Sequence, residues 1–167
     1  QLNLQPIAPG AKEGLSLVNG TPCMTGLACL ALDDAERLMD WADVTGAMSF
    51  EALRGQLVAF DAEILALKAS PGIQTSGQRL RELLADSPLL AESQGLRTQD
   101  ALSLRSMPQV HGACRDQFSH AQTQINIELN ACTDNPLILG TVEQWRVVSQ
   151  AHPHGESVAM ACDLLAI

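Results

Sequence analysis

The sequence contains no tyrosine and few aromatic residues of any kind. Only 3% of its 167 residues are aromatic, whereas 46% are hydrophobic. A chain this rich in apolar residues folds around a core rather than staying disordered, and mostly aliphatic side chains have to fill that core. Leucine, alanine and methionine favour helices, whereas a β-sandwich needs more aromatic and β-branched residues. The composition therefore favours a helical protein.

Basic residues and long apolar runs are also scarce. Ten lysines and arginines stand against nineteen aspartates and glutamates, so the formal net charge is -9 at pH 7. This balance argues against a nucleic-acid partner and against an anionic membrane surface, since both need clustered basic side chains. No run of about 18 apolar residues occurs, so no membrane span is predicted. The first residues do not form a signal peptide, and we expect a cytoplasmic protein.

The five cysteines follow no disulfide or zinc pattern. Their number is odd, their spacing is irregular, and no Cys-x-x-Cys pair occurs. We therefore predict reduced, buried thiols. His152 and His154 form a His-x-His pair, but the spacing supplies no third ligand, so no metal site is predicted.

Hydrophobic periodicity predicts an all-α fold. Apolar residues recur at steps of three and four from 22 to about 46, and again from 49 to 71. Thr21 is expected to cap the first of these helices, with Pro22 at its first position. A third long helix is predicted from Pro108 to about residue 130. Long helices with short connections imply an antiparallel bundle, which we treat as a single helical domain over residues 1–167.

Shorter elements are predicted between and after these helices. Thr75 and Gln78 fit a capping box for a helix that ends near Pro88, and a loop is expected over 89–98. Further predictions are a short helix within 99–106, a hairpin pairing 137–139 with 146–148, and a last helix that opens at 154–156.

Five strings of residues, in a fixed order and spacing, carry the functional information. They are KEGLSLVNGT at 12–21, QDALSLR at 99–105, PQVHGA at 108–113, ELNACTDNPL at 128–137 and HGESVAMA at 154–161. Together they resemble the aromatic amino-acid ammonia-lyases, the histidine ammonia-lyases most closely, over nearly the whole chain. The resemblance implies the central bundle portion of a lyase-like subunit, a homotetramer, and active sites shared among subunits.

The resemblance also implies a reaction, the elimination of ammonia from an L-amino acid, with histidine as the best substrate. The proton removed is poorly acidic, so the family uses an electrophile, 4-methylidene-imidazol-5-one, formed from an Ala-Ser-Gly that precedes the Asn-Gly-Thr string. We therefore expect an internal fragment that holds no cofactor itself and is inactive alone. The lack of an initiator Met and of a helix stop signal after Val158 agrees with a fragment. The tripeptide 75–77, Thr-Ser-Gly, looks like a precursor only superficially and is interpreted as a helix cap.

Three residues match the family's site. Asn19 matches an asparagine that hydrogen-bonds near the electrophile and the substrate, for which an uncharged donor and acceptor is suited. Arg105 matches an arginine that grips the substrate carboxylate, and a guanidinium does this with a two-pronged fork. Gln99 matches a glutamine that supports the substrate or electrophile. Without the strings, Asn19 would be a turn residue and the other two surface residues.

Two departures oppose ordinary lyase activity. Leu102 stands where the family carries the tyrosine favoured as acid or base, and leucine has no titratable proton. Pro153 stands where histidine ammonia-lyases carry a phenylalanine. The alternative is therefore a degenerate, inactive relative that acts as a helical oligomerisation module. An unrelated metal-binding bundle is a more distant alternative.

Some polar residues have simpler interpretations. His111 is expected to serve helix packing rather than catalysis, and His120 is an ordinary helix residue. The acids at 33, 34, 36 and 40 are interpreted as a solvated acidic face rather than a metal cluster.

Overall fold

The computed structural model describes residues 4–167, and most of this part of the chain is helical. In chain order, the helices are α1 (Glu13–Ser16), α2 (Pro22–Ala52), a 3-10 helix (Leu57–Phe60), α3 (Ala62–Ala66), α4 (Pro71–Leu83), α5 (Pro88–Ser93), α6 (Leu102–Arg105), α7 (Met107–Leu129) and α8 (Glu156–Leu165). Between α7 and α8, β1 (Leu137–Gly140) pairs antiparallel with β2 (Trp145–Val148). The predicted all-α class, the hairpin and the last helix are confirmed.

Helix α7 lies at the centre and packs against α2, α4 and α8. It runs antiparallel to α4, because Gly72 near the start of α4 meets Gly112, whereas Leu80 near its end packs with Met107. At the other end of α7, Ile125 packs with residues of α2 and α8. The apolar core therefore forms two clusters along one central helix.

The two core clusters are built from a few apolar side-chain types. The first contains Ala28, Leu32, Phe118, Ala121, Ile125, Val158 and Ala161, and the second Ala47, Phe50, Phe60, Leu80, Leu84, Leu90 and Met107. In the second, the rings of Phe50 and Phe60 lie 4.6 Å apart. The core is therefore largely aliphatic, as the composition predicts.

The predicted break near residue 46 is wrong, because α2 continues to Ala52. Gly46 makes room for α7, since a Cβ there would lie 3.2 Å from the Met107 sulfur. The predicted helix over 49–71 is wrong as well. The chain turns at Arg54, whose φ is 54°, and at Gly55, where a Cβ would lie 2.3 Å from the Phe50 ring. This turn brings the 3-10 helix and α3 back over Phe50.

The predicted capping box at Thr75 is also wrong. Ser70 caps α4, since its Oγ accepts a hydrogen bond from the Ile73 backbone N–H at 3.1 Å, and Pro71 takes the first helical position. Thr75 lies inside the helix, which ends at Leu83 rather than near Pro88. α5 occupies part of the stretch predicted as a loop. A serine before a proline competes with the later threonine for the start of the helix.

All five cysteines are free, as predicted, but burial is the wrong expectation for them. Four are exposed and Cys29 is half-buried. They lie largely on surfaces that this chain leaves uncovered; Cys114, for example, lines a groove between α2, α7 and α8. Within residues 4–167, no helix combines the length and apolarity needed to cross a membrane.

Candidate functional site

Gln99 and Arg105 lie at one end of the bundle, on the segment that leads into α7. Both line a cleft of about 480 Å³ that Gln56 and Ile64 also border. Gln99 is exposed and Arg105 is half-buried. The cleft therefore has both an amide and a guanidinium in its lining.

Asp100 holds this end together. Its carboxylate accepts hydrogen bonds from the Gln56 backbone N–H at 2.6 Å and from the Arg97 Nε at 2.9 Å. Burial alone would raise the pKa of Asp100, but the hydrogen bonds from Gln56 and Arg97 outweigh it and lower the pKa below its ordinary value of 3.8. Asp100 is therefore ionised at neutral pH and ties residues 97–105 to the turn after α2.

Arg105 is anchored along one edge only. Its Nη1 donates to the Asp100 carbonyl oxygen at 2.6 Å. Among residues 4–167, no carboxylate pairs with Arg105, and no hydrogen bond engages its Nη2 or Nε. A guanidinium held in this way can still bind a carboxylate through parallel hydrogen bonds.

Leu102 lies one helical turn before Arg105, at the start of α6. Its side chain is 66% exposed and belongs to neither core cluster. The position is therefore open to solvent on this chain, yet it offers no proton donor or acceptor.

Asn19 lies at the opposite end of the bundle, between α1 and α2. Its side chain is exposed, and its backbone N–H donates to the Leu15 carbonyl at 2.8 Å. α1 is tied to the turn after α7, because Lys12 pairs with Asp134 and the Ser16 Oγ donates to the same carboxylate at 2.9 Å. Asn19 is therefore an exposed amide on an anchored loop.

Residues 150–154 border the same turn. The Gln150 backbone N–H donates to Asn135 Oδ1 at 2.8 Å, and His152 Nδ1 lies 3.3 Å from the Cys132 carbonyl oxygen. Pro153 is half-buried beside the exposed His154. Asn19 and Pro153, at which the sequence departs from the histidine ammonia-lyase pattern, thus lie at the same end of the bundle.

The length of α7 separates the two groups. The helix has 23 residues, and at about 1.5 Å per residue it is roughly 34 Å long. Arg105 precedes its first residue, whereas Thr21, close to Asn19, donates a hydrogen bond to Glu128 near its last turn. One copy of the chain therefore does not bring Asn19 together with Gln99 and Arg105.

A comparison with known proteins supports the relationship that the five sequence strings predict. A family model described as aromatic amino acid lyase matches residues 1–167. The chain belongs to the aromatic amino acid lyase family. It is 48% identical over 165 residues to a histidine ammonia-lyase of Gloeobacter violaceus, in a match that covers 98% of this chain and 32% of that protein. The chain thus spans about a third of the length of the curated relatives it matches.

Solved structures of lyase-family members share the fold. A histidine ammonia-lyase from Trypanosoma cruzi is 38% identical with a TM-score of 0.82, over 98% of this chain and 29% of that one. A phenylalanine aminomutase from Pantoea agglomerans is 34% identical with a TM-score of 0.85, over 97% of this chain and 34% of that one. The predicted resemblance and helical fold are therefore confirmed.

The Ser76-Gly77 pair and Asn19 bear on the lyase electrophile that the resemblance implies. Ser76 is fully buried in α4, where its Oγ accepts a hydrogen bond from Arg115 Nε at 3.1 Å. A Cβ at Gly77 would lie 2.2 Å from the Leu65 side chain. Helix packing explains this Ser-Gly pair, so it is no precursor, although it lies inside a helix rather than at a cap. The exposed amide of Asn19 has the donor and acceptor that such a group would need, and therefore fits it.

A buried ion cluster joins three helices, and it was not predicted. Asp43 of α2 is fully buried and lies 2.8 Å from His111 Nδ1 and 2.7 Å from Arg115 Nη2. Arg79 of α4 reaches Asp43 at 3.2 Å. Asp40, whose side chain is 46% exposed, lies at the solvated edge of the cluster, 3.2 Å from Arg79 and 2.9 Å from Arg115. His111 serves helix packing, as predicted.

The charges in this cluster stabilise one another. Burial alone would raise the pKa of Asp43, but hydrogen bonds from His111 and Arg115 outweigh it and lower that pKa. Burial alone would lower the pKa of Arg115, yet the carboxylates of Asp40 and Asp43 raise it. No sequence pattern links position 43 to positions 79, 111 and 115, so only the folded bundle reveals the cluster.

Proposed function

We propose that this chain is the central part of a lyase subunit that binds an aromatic L-amino acid, histidine first, and eliminates ammonia from it. The observation that carries the proposal is Arg105, one edge of which is held by the Asp100 carbonyl while the other is available to a carboxylate. Gln99 borders the same cleft and supplies an amide beside the bound acid. Asn19 supplies a second, neutral amide for the amino-acid head group or the electrophile.

A working site requires more than one copy of the chain. Asn19 and Arg105 lie near opposite ends of a helix roughly 34 Å long, so a site that uses both takes them from different subunits. This separation supports a homo-oligomer, the tetramer implied by the resemblance. It also supports a site at which the Asn19 end of one bundle lies next to the Arg105 end of another.

The electrophile in this proposal is 4-methylidene-imidazol-5-one, formed from an Ala-Ser-Gly outside the 167 residues. Such a group, when bound, withdraws electrons from the substrate and so eases loss of ammonia and of a poorly acidic proton. Of the residues in this chain, Asn19 would hydrogen-bond to it. Arg105 would fix the substrate carboxylate, and with it the orientation of the bonds that break.

The second candidate is an inactive relative that keeps the bundle as an oligomerisation module. Leu102 favours it, because its exposed side chain carries no proton for acid–base chemistry. Pro153 favours it too, since it replaces an aromatic residue of the histidine ammonia-lyases. The retained Arg105 and Asn19 oppose it.

Binding of L-histidine and of its elimination product, urocanate, tests the proposal in the complete subunit. A charge-assisted contact contributes about 1.5–3 kcal/mol, so Arg105→Ala should weaken binding roughly ten- to a hundredfold. Arg105→Lys should recover part of this loss, because it keeps the charge but not the fork. Isothermal titration calorimetry provides the measurement.

Arg37→Ala is the matched control. Arg37 is an exposed arginine that pairs with Asp33 on α2, far from the cleft. Its removal should leave the affinity unchanged. Equal affinities for Arg105→Ala and the parent, or no binding of either ligand by the parent, would favour the oligomerisation module.

A further inference from the structure

The loop that carries Asn19 has no apolar anchor of its own. α1 is four residues long and contains no buried residue. Asn19 is attached to it through its backbone N–H, which donates to the Leu15 carbonyl at 2.8 Å. On its C-terminal side Asn19 is held through the buried Thr21, which donates to Glu128. On the other side, only polar contacts fix where α1 lies.

Asp134 makes most of those contacts. One carboxylate oxygen pairs with the Lys12 ammonium and accepts a hydrogen bond from the Ser16 Oγ at 2.9 Å. Both side chains of the ion pair are less than a third exposed, at 28% for Lys12 and 29% for Asp134. A pair sheltered to this degree is screened less by solvent than a surface pair.

The same residue also holds the segment that follows the hairpin. The Asp134 carbonyl accepts a hydrogen bond from the Gln150 side-chain amide, and the next residue, Asn135, accepts one from the Gln150 backbone N–H at 2.8 Å. The Gln150 side-chain oxygen in turn accepts from the His152 backbone N–H. Two segments distant in sequence, 12–19 and 150–152, are thus fastened to one turn.

We propose that Asp134 is a positioning residue for the proposed lyase site. Its carboxylate sets the place of Asn19 through α1, and its backbone sets the place of residues 150–152, which precede Pro153. This inference rests on the proposed function. It adds a residue that touches neither substrate nor electrophile in the proposal and acts only through Lys12, Ser16 and Gln150.

Hydrogen exchange of the complete subunit, followed by mass spectrometry, tests the structural half. Asp134→Ala should speed exchange of the peptide over 13–21 by roughly tenfold or more, since a hydrogen-bonded charge is removed. Exchange over α4, at 71–83, should not change. Asp33→Ala, which breaks the exposed pair with Arg37, is the matched control and should leave both peptides unaffected.

The rate of ammonia release tests the functional half, measured in a Leu102→Tyr background, where acid–base chemistry is restored. Asp134→Ala and Lys12→Ala should each lower kcat roughly ten- to a hundredfold, and the double variant should lose little more, because the two act as one pair. The swapped variant Lys12→Asp with Asp134→Lys should regain part of both the rate and the exchange protection. If Asp134 only stabilised the fold as a whole, the swapped variant would not regain kcat while exchange over α4 stayed unchanged.

The possible failures are distinguishable. Unchanged exchange over 13–21 in Asp134→Ala overturns the inference whatever the rates are. Normal kcat in Asp134→Ala, beside an active Leu102→Tyr background, overturns the catalytic half and leaves the proposed function intact. No ammonia release in that background refutes the proposed function and, with it, any part of Asp134 in catalysis.

Discussion

At the scale of single residues, the side chain at position 102 bears directly on acid–base chemistry. It lies a single helical turn from Arg105, so in the proposed site it would lie close to a carboxylate bound by that arginine. The lyases that the sequence resembles carry a tyrosine there. The hydroxyl group is missing, while the backbone that would present it is in place.

Leu102→Tyr should therefore raise the rate of ammonia release from L-histidine in the complete subunit. General acid–base catalysis is worth about 10²–10⁴ in rate, so the parent, which lacks this hydroxyl, should release ammonia only slowly. L-Phenylalanine provides a comparison substrate. Leu67→Tyr, at a leucine that is 89% exposed and outside the cleft, should have no effect. An ordinary lyase rate for the Leu102 parent would mean that another group moves the proton.

Asp43 is expected to stabilise the folded bundle rather than to act in the candidate site. Removing one partner of a buried ion pair costs about 3–5 kcal/mol, because the other charges are left buried without compensation. Asp43→Asn should lower the free energy of unfolding in denaturant by about that amount. Asp33→Asn breaks only an exposed pair and should cost at most about 1 kcal/mol.

The pH dependence of folding follows from the same carboxylates. The pKa values of Asp43 and Asp100 are lowered in the folded chain from 3.8. A lowered folded-state pKa contributes stability that is fully present above the unfolded value and is lost as the pH falls through the folded value. The chain should therefore lose stability as the pH falls below about 4. Circular dichroism at a series of pH values should show that stability falls less steeply with pH in Asp43→Asn than in the parent. An equally steep fall in both would mean that other groups cause it.

At the scale of elements, the sequence predicts which segments are helical better than where they end. The Thr21-Pro22 start of α2 and the extent of α7 are correct to within a residue or two. The end of α2 is not, because Gly46 resembles a stop signal, whereas its lack of a side chain accommodates Met107 and His111. A glycine required by tertiary packing looks the same in sequence as one that ends a helix.

The α4–α7 contact provides a test of this packing role. A Cβ at Gly72 would lie 2.1 Å from the Gly112 carbonyl oxygen, and one at Gly112 would lie 2.4 Å from the Ile73 backbone nitrogen. Backbone atoms cannot move aside as a side-chain end can, so the helices would have to separate. Gly72→Ala and Gly112→Ala should each lower the free energy of unfolding by about 1–3 kcal/mol.

Gly26→Ala is the matched control for both. Gly26 also lies inside a helix, but a Cβ there would meet nothing within 4 Å. Alanine is favoured over glycine in a helix by about 1 kcal/mol, so this change should raise stability. A loss of stability at Gly26, or none at Gly72 and Gly112, would contradict the packing account.

At the scale of the whole molecule, α2 is apolar on two sides. One side faces the core through Ala28, Leu32, Ala47 and Phe50. A second row, here called the outer stripe, consists of Leu27, Leu30, Leu38, Trp41 and Met48, each at least 64% exposed. With 3.6 residues per turn, the stripe falls within an arc of roughly 80°. Periodicity marks α2 as a helix but cannot tell which apolar side belongs to this chain's own core.

An outer stripe of this size needs cover from outside the 167 residues, because exposed apolar surface is rarely left contiguous in a soluble monomer. We therefore expect the chain to form an oligomer at micromolar concentration, with a mass by light scattering that is a multiple of 17.8 kDa. Trp41→Glu should shift that mass towards the monomer, since a charge would be buried in the interface. Leu67→Glu changes a leucine away from the stripe and should leave the mass unchanged.

A clean monomer that binds no apolar dye would refute this expectation, and it would also remove a premise of the proposed site. Asn19 and Arg105 are held at opposite ends of α7 by separate networks, one centred on Asp134 and the other on Asp100. Neither network can bend a rigid helix to bring the two together. A chain that never associates would therefore have no way to place both side chains on one substrate, whereas association gives each end of the bundle a partner from another copy.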